Sequence, residues 1–268
     1  MSVDGKSYAF RAVRHPVLLP LLAAYLSQAG QSVDGRALGD QTVRSRVEVR
    51  YPDFDPVVVR MALSGTQAAA ETSGLVAGVV AYLENTPFDR PPIEGIDIRI
   101  DRVEEIEAAT ILEVVPERRI VRPGDDLEVR FRIQPYRGTE EIYSVKVPIP
   151  SGLADGRIDL VGADGAAWTA YNLQMRPLFP ANFADEVRLV NSLQPSTTLV
   201  VALERQDLGI AVAGGSLSAP PSIVLQLRSA LGPNLETVSY AVLAKTEREL
   251  PVAVAGAQRI QLTVRKEP

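Results

Sequence analysis

Hydrolytic nucleophiles often sit between a strand and a helix, and Ser64-Gly65-Thr66 holds such a place in this chain. The strained elbow that exposes a catalytic serine needs G-x-S-x-G, and the alternative serine-lysine chemistry needs S-x-x-K. Neither pattern surrounds Ser64, so the stretch reads as a turn that caps the following helix. His15 is the single histidine. A Ser-His-Asp triad would hang on that residue, and no two-histidine metal site can be built. His15 stands beside Pro16 at a helix start, where it reads as a cap or a surface residue. There is no cysteine, which removes thiol catalysis, disulfides and thiolate-bound zinc.

Carboxylates are dense at Asp101, Glu104, Glu105 and Glu107. Paired carboxylates serve glycoside hydrolysis or a hard cation. Here Arg102, Val103 and Ile106 interleave them, and an exposed linker is expected. Asp155, Asp159 and Asp164 lack calcium-loop spacing and read as turn residues. Gly209 to Gly215 (GIAVAGG) is not followed by the lysine and helix of a phosphate loop. Trp168, the only tryptophan, could join Tyr171 and Tyr143 in a sugar platform, but a core position is expected. The remaining candidate is basic: Arg44, Arg46 and Arg50 project from one strand face and Arg60 lies on the next strand. Together they form a candidate binding surface, although Glu48 among them also suits cross-strand pairing. No catalytic, cofactor-binding or metal-ligating residue is assigned, and no cofactor is expected.

The elements that would position these residues follow from alternation. Leu127, Val129, Phe131 and Ile133 alternate with Glu128, Arg130, Arg132 and Gln134, giving a strand with one apolar and one charged face. Arg122-Pro123-Gly124-Asp125 before it fits a type II turn, with proline fixing φ and glycine taking the positive φ. Tyr143, Val145, Val147 and Ile149 repeat the pattern after Tyr136-Arg137-Gly138-Thr139. An amphipathic hairpin of this kind needs a second sheet over its apolar face, which is the demand of a β-sandwich.

Upstream, Tyr8, Phe10 and Ala12 alternate like a strand. The apolar run Val17 to Leu26 follows Lys6, Arg11, Arg14 and His15. It resembles a secretory signal in outline but is expected to be an amphipathic helix of the fold. It is too short to span a bilayer, which needs about 20 residues. Val43 to Tyr51 and Val57 to Leu63 read as paired strands. Gln67 to Asn85 reads as a helix with Leu75, Val76, Val79, Val80 and Leu83 on one stripe. Gly74 and Gly78 on that helix predict close approach to a sheet. Ile96, Ile98 and Ile100 give a further strand.

Further along, Ala109 to Val115, Arg157 to Val161 and Ala167 to Leu173 read as short strands. Phe183 to Leu193 reads as a helix and Thr197 to Leu203 as a strand. A helix is expected from Pro221 to Gly232-Pro233, and closing strands at Val238 to Val242 and Ile260 to Val264. The expected fold class is therefore α+β and all-β. Residues 1–106 form a small α+β domain with two helices on an antiparallel sheet. Residues 107–175 and 236–268 form an Ig-like β-sandwich, and 176–235 form an α/β insertion within it.

The length of 268 residues, 46% apolar and 23% charged content and net charge of −5 are those of an ordinary globular chain. The mild acidity argues against nucleic acid as a partner.

FRAVRHPVLLPLLAAYL, ENTPFDRPPIEGIDIRI, VRPGDDLEVRFRIQPYRG, VPIP and PPSIVLQLRSALG together resemble the region downstream of the peptidase in bacterial SpoIVB-type serine peptidases. The likeness covers most of the chain and is most specific in the PGD…PYRG stretch. That family's peptidase carries a serine in a G-x-S-G-S-P-like context and an upstream histidine. Neither occurs here, so the resemblance implies only the non-catalytic part and transfers no catalytic residue. It also implies work outside the cytoplasm, periplasmic or secreted.

The leading expectation is a non-catalytic structural or protein-binding module. It would be accessory to such a peptidase or to a cell-envelope assembly, with a protein partner or peptidase domain, no nucleic acid and no membrane span; a homo-oligomer is compatible with it. One alternative is a serine hydrolase whose site another chain completes. Another is a carbohydrate-binding or adhesion domain.

Overall fold

A computed structural model describes residues 1–33, 39–175, 180–212, 215–218, 226 and 237–266. The fold mixes α-helices with several β-sheets. The chain divides into two compact units, one of Met1–Ala108 with Pro180–Pro195, the other of Ala109–Phe179 with Ser196–Pro268.

The first unit opens with strands β1 (Ser2–Val3) and β2 (Lys6–Ser7), then helix α1 (Leu18–Ser32). β3 (Gln41–Arg50), β4 (Val57–Gly65), α2 (Ala68–Glu84) and β5 (Gly95–Val103) follow. Asp4 and Gly5 both take positive φ, 46° and 83°, and turn β1 back on β2 as Asp-Gly pairs do in tight hairpins. The strand expected at Tyr8 to Ala12 is absent; the segment has no regular structure, because the hairpin closes just before it. The sheet order is β2-β1-β5-β3-β4. Val43, Val47 and Val49 of β3 are fully buried with Ile100 of β5, and Val76, Val80 and Leu83 of α2 lie in the same core.

The glycines of α2 were expected against a sheet, but a Cβ at Gly74 or Gly78 would meet no atom within 4 Å. Both fall on the exposed side of α2, which their spacing alone did not reveal. Contact between the helices is made instead by Gln31, whose Nε2 donates to Ala69 O at 3.2 Å and Ser73 Oγ at 3.1 Å.

Helix α4 (Phe183–Asn191), which follows α3 (Gly165–Met175) in the chain, completes this unit. Asn182 caps it, its Oδ1 accepting the Asp185 N–H at 2.9 Å. Phe183 packs edge-on to Tyr51 at 4.9 Å and Phe54 at 5.2 Å. Asn191 accepts the Val58 N–H at 2.7 Å and donates to Pro56 O at 3.0 Å. Glu186, almost fully buried, accepts the Thr86 hydroxyl. Residues 176–235 were expected as one insertion; their described stretch 180–195 belongs to the first unit, since Phe183, Val187 and Val190 join its core.

The described residues of the second unit form two sheets. β6 (Ala108–Pro116), β8 (Asp126–Pro135), β9 (Glu141–Pro148) and β14 (Ala253–Ala255) form a sheet in the order β14-β6-β8-β9. β7 (Ile120–Val121), β10 (Gly156–Asp164), β11 (Thr198–Val212), β12 (Gly215–Ser218) and β15 (Ala257–Val264) run in the order β12-β11-β10-β15-β7, and β13 (Thr237–Glu249) pairs with β11. The turn before β8 forms as its residues dictate, with Gly124 at φ 88° and the Asp125 N–H on Arg122 O at 3.2 Å. Leu127, Val129, Phe131 and Ile133 are buried and share one core with Leu160, Leu199, Val201 and Leu262 of the other sheet.

The stretch Ala167 to Leu173, expected as a strand, is helix α3 (Gly165–Met175). Asp164 decides it: its Oδ1 accepts the N–H groups of Ala166 and Ala167 at 2.9 and 3.0 Å, an N-terminal cap that had read as a mere turn. Trp168 is buried against Val161, Ala163, Val200 and Ala202, on the face of the six-stranded sheet opposite the shared core. The helix expected from Pro221 to Gly232 lies outside the described residues.

The two sheets of the second unit meet closely at Gly162, where an added Cβ would lie 2.6 Å from Val114 Cγ1 and 3.2 Å from Phe131 Cε1. Gly162→Val is expected to cost about 1–3 kcal/mol in urea unfolding through overpacking. Combining it with Val114→Ala should recover part of that loss, so the two effects do not add.

Tyr51 gives a second expectation. Burial, with Glu84 and Glu186 nearby, pushes its phenol up to about 12 from 10.0 despite Arg90, and its hydroxyl has no hydrogen-bond partner among the described residues. A raised phenol favours the folded state in full below the unfolded value, and the contribution is lost as pH climbs from about 10 to about 12. Tyr51→Phe should therefore flatten the fall in the urea midpoint across that window and leave neutral-pH stability nearly unchanged.

Candidate functional site

The first unit holds a groove of about 1190 Å³ along the outer edge of β5. The β1–β2 end contributes Met1, Ser2 and Ser7, and three further pieces build the rest. The segment Tyr8 to Arg14 forms one wall, with Phe10 about half exposed and stacked on Tyr8 at 6.5 Å. Helix α1 forms the apolar wall through Leu19, Leu22 and Leu26. The third piece is β5 itself from Gly95 to Arg99, with Arg46, Glu48 and Arg50 of β3 beyond it.

The helix that flanks the groove starts at the histidine. His15 Nδ1 accepts the N–H groups of Val17 and Leu18 at 3.2 and 3.4 Å, and the ring is exposed. α1 then buries Leu19 and Ala23 and leaves Leu18, Leu21 and Tyr25 outside. It is amphipathic, but its apolar surface extends well beyond the part the core uses. No helix among the described residues is long and apolar enough to cross a membrane.

The four arginines singled out by type and spacing all lie on β3 and β4. Arg46 stands directly opposite Arg60 of β4 on one side and Arg99 of β5 on the other. Three guanidinium groups thus share one row on one face of the sheet. Arg46 pairs with Glu48 at 2.9 Å and Arg99 with Asp101 at 3.0 Å, while Arg60 has no ion-pair partner among the described residues. Arg44 pairs with Glu107, and Arg50 with Asp97. Arg50 lies across the start of β5, where a Cβ at Gly95 would come within 2.8 Å of its Nη2. Arg46 and Arg50 therefore line the groove, whereas Arg44 and Arg60 do not. Sequence reasoning missed the groove's other cations, Arg11, Arg14 and Arg99. By sequence the first two belong to the basic stretch that precedes the apolar run Val17 to Leu26, and the third is an ordinary outward residue of its strand.

The other chemical candidates are occupied by structural contacts. The Ser64 hydroxyl donates to Thr42 Oγ1 at 2.9 Å, because the Thr42 hydroxyl donates to Glu105 O, and this joins β4 to β3. Neither Ser64 nor His15 lines the groove. Of the acidic run, Asp101 and Glu107 are in the ion pairs given above, and Glu105 O accepts the Thr42 hydroxyl at 2.8 Å. Asp155 accepts the Lys266 N–H at 2.9 Å, and Asp159 lies 3.8 Å from Arg259. No group of three His, Asp or Glu side chains among the described residues is placed to hold a metal ion.

One buried charge in the second unit went unanticipated. Glu204, 1% exposed, accepts Tyr171 Oη at 2.7 Å and Arg259 Nη2 at 2.9 Å. The Arg259 guanidinium lies over the rings of Tyr171 and Tyr240, at 5.4 and 4.5 Å from their centroids. Burial, and then the bond to Glu204, raises the Tyr171 phenol well above its ordinary value. All four groups satisfy one another under α3, so this cluster positions the helix rather than a substrate.

Comparison with protein-family models, with curated proteins and with solved structures finds no match to this chain.

The arginine row opposes like charges across two strand pairs, which is destabilising. Arg60→Glu turns one of these contacts into an opposite-charge pair. It is expected to raise stability by about 0.2–1 kcal/mol, read as an upward shift in the thermal midpoint at low salt that shrinks as salt is added.

Proposed function

We propose that this protein is a non-catalytic, protein-binding module. On the resemblance of its PGD…PYRG stretch, it serves as an accessory to a SpoIVB-type serine peptidase or to an envelope assembly outside the cytoplasm. On this reading the second unit is an immunoglobulin-like sandwich. Support for that comes from its two sheets and their single shared core.

The observation that carries the binding reading is the groove. It couples an apolar helix wall to the edge of a strand, and a row of arginines lies beside it. At about 1190 Å³ it exceeds the roughly 300–1,000 Å³ of small-molecule pockets, and it suits a polypeptide better than a metabolite. The hydrolase alternative loses support because the Ser64 hydroxyl is committed to Thr42 and the His15 ring to the start of α1. The carbohydrate alternative loses its platform, since Trp168 is buried.

The test is incubation of the purified chain with a peptide and ester library, followed by mass spectrometry. No turnover is expected. Turnover that disappears in Ser64→Ala would overturn the reading and restore the hydrolase.

A further inference from the structure

We infer that α1 docks this protein on the surface of an anionic lipid bilayer. Its exposed apolar stripe enters the headgroup layer, and Arg11 and Arg14 meet the lipid phosphates. The inference goes beyond the protein-binding reading and does not use the groove.

The stripe is larger than folding needs. The 15 residues of α1 (LLPLLAAYLSQAGQS) include no charged side chain. Leu19 and Ala23 serve the core, while Leu18, Leu21 and Tyr25 stand 45%, 50% and 70% exposed. Their spacing of i, i+3 and i+7 puts all three on one side of the helix. Val17, just before the helix, is also exposed. A helix that faces water carries charge on its outer side, and a patch of bare large side chains marks an interaction site.

α2 extends the surface. Gln31, near the end of α1, bonds Ala69 and Ser73 near the start of α2. The exposed positions of α2 are Ala70, Glu71, Gly74, Leu75, Gly78 and Tyr82, so Glu71 is the one charge among them. It lies toward the Gln31 end of α1, which is about 20 Å along the helix from Leu18.

Cations stand at the other end. Arg11 and Arg14 are exposed and lead into the helix, whose first N–H groups His15 holds. From Gly5 to Val33 there is no Asp or Glu, although the chain holds 33 of them in 268 residues. An uncharged, apolar helix side next to exposed arginines has the chemistry of a membrane interface. The apolar side enters by about 5–10 Å, and cations near the surface are drawn to anionic headgroups. A second copy would offer the arginines only Glu71 in return, whereas an anionic bilayer offers phosphates across its whole surface. The bilayer is therefore the better occupant.

The full chain is mixed at low salt with vesicles of equal parts phosphatidylglycerol and phosphatidylcholine, and the bound fraction is read by flotation. Binding is expected, at least about tenfold tighter than to phosphatidylcholine alone. It should weaken at least about tenfold in Arg11→Gln/Arg14→Gln and in Leu21→Glu, whose side chains are exposed and whose folding is checked by circular dichroism. The chain has no cysteine, so Leu21→Cys takes a single polarity-sensitive dye. Its emission should move to the blue on the anionic vesicles. A dye on Tyr136→Cys, an exposed position of the second unit, should not respond.

Absence of binding to the anionic vesicles overturns the inference. So does equal binding to phosphatidylcholine alone, or undiminished binding by either variant. An unmoved dye at Leu21, or an equal shift at Tyr136, overturns it as well. A dimer seen by sedimentation without lipid, and abolished by Leu21→Glu, would give the stripe to a second copy with the same result. Each of these failures leaves the protein-binding reading standing, because none of them reports on the groove.

Discussion

The second unit depends on how closely two sheets can approach. An apolar strand face such as that of β8 is stable only when something covers it, and the cover must fit. At Gly162 of β10 the fit is tight enough that no side chain is possible without displacing Val114 or Phe131. Gly256 makes a similar demand at the edge, where φ is 133° and Ile111 O lies 3.3 Å from where a Cβ would sit. Its N–H donates to Asp164 Oδ2 at 2.9 Å, and the other oxygen of that carboxylate starts α3. One aspartate thus fastens the strap after β14 and the helix on the outer face of the sheet.

The first unit solves the same covering problem with helices. Its sheet is small, and α1 and α2 do not complete its core alone. Phe183, Val187 and Val190 of α4 close it, although some 70 residues of the other unit intervene in the chain. Polar contacts then fix the depth of this helix. Asn191 satisfies both an N–H and a carbonyl around Pro56, which proline and the strand start would otherwise leave to water. The Glu186 carboxylate is buried with a hydroxyl on it, and a buried charge persists only where such donors are supplied.

What was legible in the sequence was what period and turn chemistry encode locally. The hairpin around Tyr136 to Thr139, the Pro-Gly turn at 122–125 and the long strands β3, β4 and β8 stand where alternation puts them. The errors have local causes of another kind. At Ala167 to Leu173 an aspartate cap outweighed a weak alternation, because Trp168 and Tyr171 are also one helical turn apart. At Tyr8 to Ala12 real alternation found no neighbouring strand to pair with. Allegiance of Phe183 to Asn191 to the first unit is a tertiary fact. Its amphipathic stripe says that the helix must be buried, not against which sheet.

The candidate site was half legible for a related reason. Arg46 and Arg50 announce themselves by alternating on one strand, but a groove is made by what fails to cover an edge. Here β1 runs parallel to β5 and pairs with it at Arg99 and Ile100, next to the Asp4-Gly5 turn. Edge strands invite unwanted pairing, and proteins blunt them with charge and proline. β5 has both, since Pro91 and Pro92 precede it and Arg50, Asp97 and Arg99 crowd its outer face. These charges do not seal the edge; they bias it. A cationic lining in a chain of net charge −5 concentrates the field at the groove.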